Sequence, residues 1–299
     1  MDLLTAKQGD MHDLITQIKT NPPTEKDRAY LTRQLVQCTL PHSDLKGQEI
    51  FKSQNGSLTL TIRSGYDGTT NNMIGLPYGT IPRILLYWLT NEVLMKKEKT
   101  IYLGESLPVF MREVGLDPSK GGPRSDREHL REQMNRLFRS SITIERSGEC
   151  SGQSGNAWST IQVAEKGILW WDKGSDSQSK DFESHIVLSD NFFNMIVNSP
   201  VPLDKRALQV LKSSSLNLDI YGFVVHKSYQ LSQRENKEQF ISWSSFMNQL
   251  GANYSDVKNF KKKAKAAFDT ISMVYDLKIE YPRGGFVIKA APPAIPHKE

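Results

Sequence analysis

Four lysines carry the clearest chemistry in this chain of 299 residues. Lys258, Lys261, Lys262 and Lys265 recur at i, i+3, i+4 and i+7, which lines them along one edge of an α-helix with few acidic residues beside them. A row of ammonium groups without neutralising partners suits a polyanion, and Asn259 in the same run has the amide geometry that pairs with adenine in a major groove. Arg283 follows at the tip of a turn, Pro282-Arg283-Gly284-Gly285, and Arg124, Arg127 and Arg131 form a second, smaller basic set far upstream. A lysine-rich helix face is by itself most often a solvated surface. The surrounding elements therefore decide what these charges do.

On a helix at 100° per residue, Val257, Phe260, Ala264, Ala267, Phe268, Ile271, Val274 and Tyr275 fall on one apolar stripe, so the opposite side of the lysine helix is expected to face a core. Ser255 with Asp256 supplies its N-terminal cap. Beyond Asp276 the period changes to two: Leu277, Ile279 and Tyr281, then the turn, then Phe286 and Ile288. A basic amphipathic helix that runs into a hairpin with an arginine at its tip has the form of a winged helix on DNA, with the helix in the major groove and the hairpin against the neighbouring backbone.

The same order occurs earlier in the chain. Phe110-Met111-Arg112-Glu113-Val114-Gly115-Leu116-Asp117 aligns with Phe246-Met247-Asn248-Gln249-Leu250-Gly251-Ala252-Asn253. The first copy is preceded by a long helix from Tyr78 and followed by a helix over roughly Ser125–Ser140, on which Arg124, Arg127 and Arg131 flank the apolar Leu130, Met134, Leu137 and Phe138. Strands over 142–146 and 158–163 then make a hairpin whose tip, 147–156, is the expected first wing. The fold class expected is α+β, two tandem winged-helix domains related as an internal repeat, with an N-terminal helical arm. The boundaries are an arm over 1–50, containing one short helix from Lys26 to Cys38, a first domain over 51–188, and a second over 189–299 that includes a linking helix at 189–199. Residues 172–183, acidic and serine-rich, read as an exposed loop.

Composition and absences narrow the function. A net charge of +5 and a pI near 9.0 permit nucleic-acid binding without demanding it. Cys38 and Cys150 are too few and too far apart for a disulfide scaffold or a C-x-x-C site, which fits a reduced cytoplasm. No apolar run approaches the ~20 residues of a membrane span, so no membrane role is expected. There is no G-x-x-x-x-G-K-[ST], no H-x-H, no H-E-x-x-H and no G-x-S-x-G, and the expectation is a protein that is not an enzyme and needs no metal or other cofactor. Tyr102, Tyr221 and Tyr275 lie in apolar patterns and read as core.

Several short stretches resemble the RepA-type plasmid replication initiators. They are Tyr78-Gly79 with Pro82-Arg83, Phe110-Met111-Arg112, Gln133-Met134-Asn135-Arg136-Leu137-Phe138, Leu188-Ser189-Asp190-Asn191-Phe192-Phe193, Pro200-Val201-Pro202-Leu203-Asp204 and Leu216-Asn217-Leu218-Asp219-Ile220-Tyr221, in that order within Ser57 to Pro293. The resemblance implies two winged-helix domains, sequence-specific binding to direct repeats (iterons) of double-stranded DNA at a plasmid origin, recruitment of a host initiator ATPase and replicative helicase, and a homodimer inactive for initiation beside an active monomer. Two other readings stand beside it: a transcriptional regulator with the same tandem fold, and, from a different class, a replication nickase or primase with a metal site of its own.

Overall fold

The computed structural model describes residues 8–119, 122, 125–150, 153–169, 184–251, 254 and 256–296. The chain opens with α1 (Gln8–Thr20), β1 (Arg28–Thr32) and α2 (Arg33–Gln37). The single helix expected from Lys26 to Cys38 is instead a strand, Arg28–Thr32, followed by a five-residue helix, Arg33–Gln37, and this stretch is packed into the core. β1 pairs antiparallel with β11 (Pro200–Asp204), Ala29 opposite Leu203, and Ala29, Leu35, Val36, Cys38 and Leu40 are buried. Local pattern could not show this, because β1 is short and its partner lies about 170 positions away.

Next come β2 (Ile50–Asn55), β3 (Leu58–Arg63) and a small ribbon of β4 (Gly65–Asp67) and β5 (Asn72–Gly75), then α3 (Thr80–Lys96), β6 (Thr100–Tyr102), α4 (Leu107–Glu113) and α5 (Asp126–Phe138). β7 (Ser141–Cys150) and β8 (Gln153–Gln162) follow, then β9 (Ala164–Ile168) and β10 (His185–Leu188). The second half is α6 (Asp190–Asn198), β11, α7 (Lys205–Leu211), α8 (Ser215–Ser232), β12 (Glu238–Ser242), α9 (Trp243–Gln249), α10 (Val257–Ile271), β13 (Ile279–Glu280) and β14 (Gly285–Lys289). Polar caps set several helix starts: Ser125, Ser189, Ser214, Ser242 and Asp256 each accept a hydrogen bond from the backbone N–H three residues on.

Strand order reveals the repeat. In the second half, helix α8, strand β12, helices α9 and α10, and the hairpin β13–β14 form a sheet ordered β12-β14-β13. In the first half, α3, β6, α4, α5, β9 and β10 form a sheet ordered β6-β10-β9, so that the last strand again lies between the first and the second. Both halves are winged-helix units. Equivalent residues do equivalent work: Phe110 packs 4.9 Å from Trp88 of α3, and Phe246 packs 4.9 Å from Phe223 of α8. Gly115 and Gly251 each follow the short middle helix at positive φ, 77° and 55°, where a side chain would be strained. Gly251 has a second constraint, since a Cβ there would lie 2.1 Å from the Phe51 ring.

One sequence expectation is corrected by this topology. The first wing is not the 147–156 tip. β7 and β8 pair in register from Ser141–Gln162 out to Cys150–Gln153, and they join β2 and β3 in a separate four-stranded sheet ordered β2-β3-β7-β8. This long hairpin is inserted between α5 and β9. The strands that correspond to β13 and β14 are β9 and β10, which pair antiparallel; residues 170–183, including the loop expected at 172–183, lie outside the described residues.

The two units share one continuous apolar core, and a buried charge cluster joins them. Arg83 of α3 donates from Nε to Asp219 Oδ1 of α8 at 2.7 Å and from Nη2 to Oδ2 at 2.6 Å. Its remaining hydrogens go to the carbonyls of Leu40, Pro41 and Gly79. His42 adds a third link. Its Nε2 lies 3.2 Å from Asp219 Oδ2 and 3.1 Å from the Leu250 carbonyl, both acceptors, so this nitrogen carries the proton, with Nδ1 3.1 Å from the Ser215 hydroxyl. Burial alone would raise the Asp219 carboxyl, but the Arg83 guanidinium and His42 outweigh it and hold the group below the usual carboxylate range.

A buried histidine makes folding acid-sensitive. Burial first, then the charges of Lys227 and Arg33, pull His226 of α8 down to about 4, and its Nε2 has no hydrogen-bond partner. The unfolded chain binds this proton near pH 6.5 and the folded one only near 4, so the stability conferred by neutral His226 is present above pH 6.5 and lost as pH falls towards 4. Urea unfolding of wild type and His226→Gln at several pH values in this window should show a wild-type slope steeper by up to about 1.4 kcal/mol per pH unit. Equal slopes would mean that another group dominates acid unfolding.

Candidate nucleic-acid interface

α10 is built with one apolar and one basic side. Phe260, Ala264, Ala267, Phe268, Ile271, Val274 and Tyr275 are buried, as the stripe requires, whereas Val257 at the first turn is exposed. Lys258, Lys261, Lys262 and Lys263 are exposed and form no ion pair with any described residue. The helix carries five lysines against one acid, Asp269. Lys263 is the site residue that helical spacing missed, since it falls about 100° from Lys262; the run Lys261-Lys262-Lys263 is its signal.

Two lysines rest on aromatic rings. Lys265 Nζ lies 4.1 Å from the centre of the Tyr281 ring, and Lys261 Nζ lies 6.0 Å from that of Trp243. Trp243 and Tyr281 are themselves stacked at 6.2 Å with an 18° interplanar angle. These rings link α10 to the base of the β13–β14 hairpin, where Arg283 is exposed and Gly284 turns the chain at φ 86°. Burial, with Asp269 nearby, pushes the Tyr281 hydroxyl up to about 12, so this ring stays neutral at physiological pH. Removing the ring in Tyr281→Ala should free Lys265 and weaken duplex binding about twofold to fivefold, while Tyr281→Phe should bind as wild type. Fluorescence anisotropy would check both, and equal binding by all three would mean that the ring does not position the lysine.

Asn259 sits less freely than its spacing suggested. Its backbone N–H donates to Asp256 Oδ1 at 2.7 Å and its side-chain Nδ2 to Oδ2 at 2.8 Å, so the residue completes the helix cap and one of its two amide hydrogens is engaged. Ser255 lies outside the described residues.

The matching helix of the first unit differs in character. α5 carries Arg127, Arg131 and Arg136 against Asp126, Glu128 and Glu132, a balanced set. Arg127 is half-buried, and Arg131 is drawn to Glu128 at 3.1 Å. Arg136 is bound to Glu132 and Asp44 and lies over the Tyr78 ring. Arg124 lies outside the described residues. The structure thus gathers Lys258, Asn259, Lys261, Lys262, Lys265 and Arg283 on one helix and its wing, and leaves the arginines as a separate set, partly neutralised. Of the tyrosines read as core, Tyr221 and Tyr275 are buried, but Tyr102 is half-exposed at the edge of its sheet. Among the described residues, no group of three or more His, Cys, Asp or Glu is placed to hold a metal ion, and no helix is long and apolar enough to cross a membrane.

A family model described as plasmid-encoded RepA protein matches residues 76–245, more than half of the chain. The chain belongs to the RepA family of plasmid replication initiators. The RepA match is narrower than the span over which the sequence motifs lie. It begins just before α3 and ends inside α9, so α10 and its wing lie beyond it. No curated protein matches the chain. Among solved structures, a selenomethionine crystal structure of domains 2 and 3 of RctB is similar at 11% identity and a TM-score of 0.47, over 84% of this chain and 94% of that one. A second crystal structure of RctB domains 2–3 is similar at 12% identity and a TM-score of 0.46, over 86% and 96%.

Proposed function

We propose that this RepA-family chain initiates plasmid replication by binding direct repeats in double-stranded origin DNA, with α10 in the major groove and Arg283 of the wing against the adjacent backbone. The observation that carries this reading is the solvent-facing lysine side of α10: four exposed ammonium groups without ion-pair partners, beside a wing held to the same helix by Tyr281 and Trp243. The balanced charge of α5 makes the second unit the stronger grip. α5 adds a second contact about one helical turn away, ~34–36 Å along the duplex. The protein acts by binding, without cutting DNA, and brings the host initiator ATPase and replicative helicase to the site. Its homodimer is the form inactive for initiation.

Selection of duplexes from a random-sequence pool at near-physiological salt tests the binding reading. A motif about two turns long should be enriched, it should occur as tandem repeats at the plasmid origin, and binding to it should depend steeply on salt. Enrichment of no motif would leave the lysines as a solvated face. Incubation with supercoiled plasmid and magnesium should leave the plasmid intact, and relaxation would expose a nickase instead.

A further inference from the structure

The second sheet has a free edge. β12 pairs with β14 alone, in the order β12-β14-β13. The Ala290 N–H donates to the Lys237 carbonyl and the Trp243 N–H to the Gly284 carbonyl, which places residues 239 and 241 in the hydrogen-bonded positions opposite β14. By alternation, the amide and carbonyl of Phe240 point away from the sheet. Natural sheets ordinarily cover or charge such an edge, yet the Phe240 side chain is 51% exposed.

A groove borders this edge. Its lining includes Gln54 and Asn55 at the end of β2, Lys227 of α8, Phe240 of β12, and Asn248 and Gln249 of α9. Lys227 is the single charged residue of that lining. Its ammonium donates to Gln239 Oε1 at 3.2 Å, which leaves further hydrogens unassigned, and burial, with Arg234 nearby, lowers its pKa. Gln249 is 4% exposed, and its Nε2 has no partner. The groove therefore offers an unpaired strand edge, amides able to satisfy a peptide backbone, and one cation without an anion. A DNA strand would need a row of cations, and these lie on α10.

We infer that this groove binds an extended acidic peptide of a partner protein, which adds as a strand along the Phe240 edge of β12 and places an Asp or Glu side chain against Lys227. The inference is independent of whether α10 reads DNA. The edge lies on the opposite side of the sheet from β13, so the wing strand is not the one that the peptide covers.

Panning a library of random twelve-residue peptides against the full-length protein tests the inference, with synthetic copies of the enriched peptides measured by fluorescence polarisation. Enriched peptides should carry Asp or Glu within a β-prone run, and Lys227→Met should weaken them at least about tenfold. Phe240→Pro should do the same, because it removes the outward-facing N–H while leaving the inner ladder to β14 intact. Both variants should unfold as wild type does and bind duplex DNA as it does. The inference is overturned if nothing enriches, if Lys227→Met binds the enriched peptides as tightly as wild type, or if that variant loses duplex affinity in parallel, which would make the groove a phosphate site.

Discussion

Replacing Arg83 with leucine is expected to lower folding stability by about 3–5 kcal/mol, the largest single effect foreseen for this chain. The guanidinium is 4% exposed and serves the Asp219 carboxylate and three backbone carbonyls at once, so its loss leaves a buried anion and several buried acceptors unsatisfied. The pH dependence has a definite sign. In the wild type the Asp219 pKa is held low, so the stability that it confers is present at neutral pH and lost as pH falls through the folded value. Without Arg83, burial is opposed by His42 alone and that pKa rises, so the defect of the variant should shrink as the medium is acidified towards pH 4. Urea titrations at pH 7 and pH 4.5 would read both effects. The double variant Arg83→Leu/Asp219→Leu should be milder than Arg83→Leu alone, because it removes the orphaned charge. A single variant as stable as wild type would mean that the pair does not hold the two units together.

Neutralising Lys258, Lys261 and Lys262 together, each to glutamine, is expected to have the largest effect on DNA binding. Each phosphate contact contributes about 0.9 to the slope of log affinity against log salt, so the triple variant should lose roughly 2.7 from that slope along with most of its affinity at near-physiological salt. The substitutions face solvent, and the fold should remain intact, with an unfolding midpoint close to that of wild type. An unchanged slope would place α10 away from the DNA. Any of the three that reads a base would in addition change which duplex is preferred, at ~1–3 kcal/mol per bidentate pair, as a single-residue selection would reveal.

Some of this architecture was legible in the sequence for definite physical reasons. α6 and α10 announce themselves because a polar cap precedes an apolar period of 3.6 residues, and the cap residues Ser189 and Asp256 make the hydrogen bonds that their positions imply. The match of Phe110–Gly115 to Phe246–Gly251 predicts an internal repeat, and the two buried phenylalanines and two positive-φ glycines bear it out. The first wing was misplaced because β6 has three residues and β9, Ala164–Ile168, has no apolar alternation, while the inserted β7–β8 hairpin shows a strong period-two signal of its own. The roles of Asn259 and Arg131 were not separable from spacing alone. Each meets an acidic neighbour three residues before it, Asp256 and Glu128, and only side-chain geometry shows that the pairs form.

The pairing of β1 with β11 also has a consequence for synthesis. The strand at Arg28–Thr32 leaves the ribosome first and waits for Pro200–Asp204, about 170 residues later, an interval of roughly 10–35 s at ~5–20 residues per second. Through that interval Ala29 and Leu31 have no strand to cover them, and only by its end has every element of the first winged-helix unit been made. A nascent chain at this stage presents an open apolar strand to whatever meets it, so the point of greatest risk from aggregation, and of greatest need for a chaperone, falls just before translation reaches Pro200.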